Sequence, residues 1–196
     1  MTTVSSPARK PRADAERNRQ RLLEAARAAF SAHGTTVSLE DVARSAGVGI
    51  GTLYRHFPTR DALIAEVYRN EAAKLGEAAR ELADAYPPLD ALRRWLLLFV
   101  RYLSTKLILV EAFKSMVADT SQLTAASGEQ LTRSVTMLVG RAVENGDIAQ
   151  ADFDPLDLLR ALTGIAMAGP GPDWGGAAER MVDLLINGLA SPSRRN

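Results

Sequence analysis

Val37-Ser38-Leu39-Glu40-Asp41-Val42-Ala43-Arg44-Ser45-Ala46-Gly47-Val48-Gly49-Ile50-Gly51-Thr52-Leu53-Tyr54-Arg55-His56-Phe57-Pro58-Thr59 is the stretch that decides how this chain folds. Ser38 offers a hydroxyl N-cap, an acid follows at Asp41, and Val37 lies just outside to staple the turn, which together announce a helix. Leu39, Val42 and Ala43 give that helix one apolar stripe. It must be short, because Ala46-Gly47-Val48-Gly49 follows and a glycine there lets the chain turn sharply into another helix. Ile50 to Phe57 forms that next helix, with Leu53 and Phe57 sharing a face and Thr52, Arg55 and His56 pointing elsewhere. Pro58 cannot continue the hydrogen-bond ladder and disfavours helical geometry at Phe57, so the helix ends there.

Working outward, Leu22, Ala26, Ala29 and Phe30 recur at helical spacing upstream, from about Asp14 to a left-handed stop at Gly34. Residues 1–12 carry almost no large apolar side chain and are expected to be a flexible basic arm. Downstream, Thr59 can cap a fourth helix running to about Ala83, with Asp61 in its first turn, before Tyr86-Pro87-Pro88 breaks the pattern. Residues 89–117 are strongly apolar, but Arg93, Arg94, Arg101 and Lys106 interrupt them before the roughly 18 to 20 residues of a membrane span, so one or two buried helices are expected. A further helix runs from Gln122 to Glu144, and Asp154-Pro155 starts another that reaches Ala168. After Gly169-Pro170-Gly171-Pro172, a last helix covers Gly175 to Gly188. The expected fold is all-α, with about nine helices. Its parts are an arm (1–12), a three-helix helix-turn-helix head (13–58), a helical body (59–190) and a flexible tail (191–196).

The chain has 196 residues, 46% hydrophobic and 24% charged, which points to a folded globular protein. It has no cysteine, which excludes a disulfide framework, a thiolate metal site and a cysteine nucleophile. His33 and His56 are the only histidines, no paired catalytic carboxylates stand out, and no phosphate-cradling glycine loop occurs. An enzyme therefore lacks parts, and no cofactor is expected. The first residues contain no apolar run with a small-residue cleavage site, so a cytoplasmic protein is expected. The net charge of +1 hides an asymmetry: the first 60 residues carry ten basic and five acidic side chains, a surplus of +5 that leaves −4 for the rest. A basic head on an acidic body suits a polyanion partner at one end, which a helical protein-binding adaptor would leave unexplained.

Three short helices, a tight glycine turn and a positive surplus form the arrangement by which a helix enters the major groove of DNA. Residues 16–64 closely resemble the DNA-binding head of the TetR (tetracycline repressor) family, and Gly51-Thr52-Leu53-Tyr54-Arg55-His56-Phe57 is highly characteristic of it. The resemblance implies that the helix opening at Ile50 reads DNA. Ile50, Thr52 and Arg55 would carry most direct readout, while Gly51 permits close backbone approach. Tyr54 and His56 match positions that usually donate to phosphates in this family, and Arg60 matches its usual lysine. Thr36 and Ser38 would add phosphate contacts near a helix N-terminus. For Tyr54 the competing reading is a core-edge residue with a solvated hydroxyl, and for His56 an ordinary exposed histidine. For Arg9, Lys10 and Arg12 a minor-groove arm and a solubilising tail are equally compatible.

One recognition helix contacts few base pairs, so a homodimer on a palindrome is expected. The family builds its dimer from the last two helices, which here offer Leu158, Leu159, Leu162, Ile165, Met181, Leu184 and Leu185; packing on the subunit's own core is the alternative. Between head and dimer interface, family members enclose a small-molecule effector. Trp95, Phe99, Tyr102, Phe113, Met116, Met137 and Met167 are the candidates to line its pocket, each with plain core as the rival reading. The partners expected are double-stranded DNA, a second copy of the chain and that effector, with no membrane.

Overall fold

Residues 10–114, 121–149, 153–168 and 174–190 are described by the structure, a computed structural model. Met116 lies outside the described residues, as do the arm through Arg9 and the tail from residue 191, and the Phe113 side chain is likewise not described. Eight α-helices and a short 3-10 turn occur among the described residues: α1 (Lys10–His33), the turn Gly34–Thr36, α2 (Leu39–Ser45), α3 (Ile50–His56), α4 (Arg60–Ala85), α5 (Pro88–Lys114), α6 (Ser121–Glu144), α7 (Leu156–Ala168) and α8 (Trp174–Leu189). The one β-bridge among them joins Ile148 to Ala190.

One boundary differs from the sequence reading. α1 begins at Lys10, inside the stretch expected to be a loose arm. Extending an existing helix adds a hydrogen bond per residue fixed, and Pro11 stands in the first turn, where its missing N–H is no loss. The apolar stretch after Pro87 forms the single helix α5, because its interrupting arginines are good helix formers.

The chain divides into two compact units, Met1–Tyr68 with Ile108–Met116, and Arg69–Leu107 with Val117–Asn196. The first unit extends past Pro58 because Leu63, Ile64 and Val67, in the first turns of α4, are buried like the head residues Leu22, Leu23, Ala26, Phe30, Val42, Leu53 and Phe57. α1 packs on both α2 and α3, and α2 packs on α3. The turn between α2 and α3 rests on Gly47, whose φ of 66° a side chain would strain.

In the second unit, Trp95, Phe99 and Tyr102 stack in sequence along α5, neighbouring ring centroids 6.0 Å apart, and all three are buried. The Trp95 indole N–H donates to the Leu75 carbonyl of α4 at 2.8 Å. The carboxylate of buried Asp147, just past α6, accepts from the Leu89 N–H at 3.3 Å and so caps the start of α5. Arg93 of α5 donates through Nε and Nη2 to Asp183 of α8, at 2.8 and 2.7 Å. α7 packs on α8 and on α6. Asp154 caps α7, accepting from the Leu156 N–H and from Arg160, both at 2.9 Å. The Leu156 hydrogen bond is the main cause that holds its carboxyl below the usual carboxylate range, with Arg160 adding to it.

Candidate nucleic-acid interface

α3 is two-faced by construction. Leu53 and Phe57 at its end are buried in the head, whereas Ile50, Gly51, Tyr54 and Arg55 are exposed and Thr52 and His56 half-exposed. A large apolar side chain is 36% exposed at Ile50 and an aromatic one 46% exposed at Tyr54, on a helix of only seven residues. Arg55 folds back along the helix, its Nε donating to the Gly51 carbonyl at 3.2 Å. Neither Gly49 nor Gly51 has anything within 4 Å of where a Cβ would stand, so their lack of side chains leaves open space at the mouth of α3. The backbone there can be approached closely from outside.

The flanking polar residues are engaged to different degrees. Ser38 accepts from the Asp41 N–H at 3.1 Å and donates its own proton to the Asp41 carboxylate at 2.8 Å. Its hydroxyl is thus already occupied as a helix cap. Thr36, exposed beside it, donates to the His33 carbonyl at 3.3 Å. Thr59 caps α4 by accepting from the Ala62 N–H at 3.1 Å. Arg60 follows, its guanidinium 5.9 Å from the Phe30 ring centroid, and its Nη2 is buried with no hydrogen-bond partner among the described residues.

Sequence reasoning missed Arg19. It pairs with Glu66 of α4 and lies 5.8 Å from the Phe57 ring centroid, so one side chain of α1 braces both the end of α3 and the start of α4. No local signal marks it, because its partner is 47 residues away.

The other expected groups separate. Trp95, Phe99 and Tyr102 come together as packed core, with the indole N–H already satisfied. Met137 is half-buried and lines a cleft of about 440 Å³ with Gly76, Arg80, Gln130, Arg133 and Ser134. Met167 is 67% exposed and stands on the surface of α7. Leu158, Leu159 and Leu162, expected at a second subunit with the subunit's own core as the alternative, are buried within their own subunit, because this stripe of α7 turns inward. The outward positions are Leu184, 64% exposed, and the partly exposed Ile165, Met181 and Leu185.

A helix with a buried back and an exposed front, carried after a tight glycine turn in a three-helix unit, defines a helix-turn-helix protein. Residues 22–67 match the model of the tetR family of bacterial regulatory proteins, and residues 87–191 match the C-terminal domain of SbtR-like transcriptional regulators. A TetR transcriptional regulator from Streptomyces coelicolor superposes with a TM-score of 0.80 at 40% identity, covering 89% of this chain and 99% of that one. A TetR transcription regulatory protein from Mycobacterium vanbaalenii gives 0.76 at 32% identity, over 92% and 99%. The HTH-type transcriptional regulator AcrR of Shigella flexneri is 34% identical over 93 residues, 46% of this chain and 43% of the relative, so the match spans less than half of that curated relative. The chain belongs to the TetR family of transcriptional regulators.

Proposed function

We propose that this protein is a repressor that binds a palindromic operator as a homodimer through α3 and leaves it when a small-molecule effector binds the second unit. The observation that carries the reading is the exposed front of α3. Ile50 and Tyr54 face solvent on a helix whose back is anchored by Leu53 and Phe57, beside the positive surplus of the first 60 residues. Ile50 suits a thymine methyl, Thr52 either base and Arg55 a guanine edge, while Tyr54, His56 and Arg60 supply donors for phosphates. Thr36 and Ser38 are second-rank phosphate contacts, since their hydroxyls already serve the head's own backbone and caps. The exposed apolar side chains of α7 and α8, Met167 and Leu184 foremost, support a second copy as partner. Binding rather than catalysis is its work, and a DNA partner suits a cytoplasmic protein. Among the described residues no helix is long and apolar enough to cross a membrane.

Release is a population shift: an effector that prefers the form with misplaced heads empties the operator, and one that binds both forms equally leaves it occupied. The test is a gel-shift titration on fragments upstream of its own and neighbouring genes at several salt concentrations. Affinity should fall steeply with salt, roughly 0.9 decades per decade of salt for each phosphate neutralised. Tyr54→Ala should weaken all operator variants alike, and Arg55→Ala should change the preference among bases. A protein that ignores every fragment at low ionic strength, or whose two variants behave identically on all sequences, is not reading DNA in this way.

A further inference from the structure

The cleft between α4 and α6 is built from side chains that sequence reasoning did not single out, Met137 excepted. Arg80 of α4 and Arg133 of α6 line it together with Gln130, Ser134, Met137 and Gly76. Its volume of about 440 Å³ falls within the range of small-molecule sites. Two guanidiniums on different helices border one small space, and among the described residues that line it there is no carboxylate. Arg80 is exposed and makes no ion pair among the described residues, although Glu77, Glu81 and Asp84 stand near it along α4. Among the described residues Arg133 pairs with Glu129, at a loose 3.6 Å with both side chains largely exposed. Like charges sharing a site repel, and an anion between them relieves the repulsion. A guanidinium also offers the planar fork of donors that a carboxylate accepts.

The floor of the cleft is specific. A Cβ at Gly76 would collide with the Gln130 side chain, whose carboxamide lies against the bare backbone of α4. Glycine within a long helix is unfavourable, and here its absence of a side chain lets Gln130 lie flat and keeps the space above it open. Ser134 donates its proton to the Gln130 carbonyl at 3.0 Å. The donors left for a ligand are therefore the two guanidiniums and the Gln130 amide, with Met137 as an adaptable apolar wall.

We propose that this cleft binds a small organic anion, a carboxylate with a compact apolar body, bridged by Arg80 and Arg133. Its regulatory meaning rests on the repressor reading above. Arg80 stands on the continuous helix that begins at Arg60, so an anion tying Arg80 to Arg133 fixes the far end of α4 against α6.

The test uses the full chain with 2-naphthoate, its neutral counterpart 2-naphthamide, and inorganic phosphate, measured by calorimetric titration and thermal shift. Naphthoate should bind and raise the melting point. Naphthamide should bind at least about tenfold more weakly, as should naphthoate to Arg80→Gln and to Arg133→Gln, each lacking one charge-assisted contact. Gly76→Ala, which pushes Gln130 into the cleft while keeping both charges, should also lose naphthoate. Circular dichroism identifies any variant that fails to fold. Equal binding of acid and amide, undiminished binding by either arginine variant, or no binding of any probe overturns the site. Phosphate bound in preference to naphthoate overturns the carboxylate assignment. A chain that binds operator DNA but lacks this arginine-dependent site disproves the cleft and leaves the repressor reading standing. A chain that binds naphthoate as described and ignores DNA does the reverse.

Discussion

Arg60 carries two demands that pull against each other. Its guanidinium lies over Phe30 with Nη2 buried and unpartnered among the described residues, a placement that stabilises little, since a buried donor without an acceptor loses its hydration for nothing. Swinging outward to a phosphate on DNA would give that donor a partner, at the cost of its packing on Phe30. Replacing it by a chain of similar reach and no charge separates the two roles. Arg60→Met should keep the packing on Phe30 and change unfolding stability by less than about 1.5 kcal/mol. On DNA it should weaken all sequences alike and lower the salt slope by about one. Stability can be read by denaturant titration and the slope by fluorescence anisotropy at graded salt. A large loss of stability with the slope unchanged would make Arg60 a structural residue.

At the scale of the helices, the ends were more legible than the partners. Ser38, Gly47, Pro58, Thr59 and Asp154 each act within a few residues of their place in the chain, so the turn of the head and the starts of α2, α4 and α7 followed from spacing alone. What a helix packs against is not local. Periodicity announces that Leu158, Leu159 and Leu162 are buried, but not whether a neighbouring helix or another subunit covers them, and Arg19 finds Glu66 only once α1 and α4 are folded. In the candidate site the front of α3 was legible for the same reason as the caps, whereas Arg80 and Arg133 come to line one cleft only in three dimensions. The cap of α7 also carries a pH dependence. The Asp154 carboxyl is held below its ordinary range, so its contribution is complete above the unfolded-state value and is lost as the pH falls through the folded one. Asp154→Ala should therefore lower the melting temperature at neutral pH, and the difference should shrink below the usual carboxylate range. A gap that stays constant well below that range would show that the charge is not what matters.

For the whole molecule the question is what covers α7 and α8. Burying one leucine is worth about 1.5 to 3 kcal/mol, and leaving Leu184 64% exposed forgoes most of it unless another surface is at hand. A two-fold dimer supplies that surface twice over, because any contact made by Leu184 of one copy is repeated by the other. The same symmetry multiplies the damage of a charge placed there: each copy of Leu184→Glu would have to bury an unpaired carboxylate beside Ile165, Met181 or Leu185 of the bundle. The position is exposed within its own subunit, so the fold of each chain has no reason to fail. Leu184→Glu should keep its helical circular dichroism, sediment as a monomer at micromolar concentration where the unmodified chain sediments as a dimer, and lose most of its affinity for a palindrome. On a half-site it should bind about as well as the unmodified head does, since α3 is untouched and only the second grip is gone. A Leu184→Glu protein that remains dimeric would move the interface away from α8, and one that is monomeric yet binds the full palindrome undiminished would show that two heads are not needed.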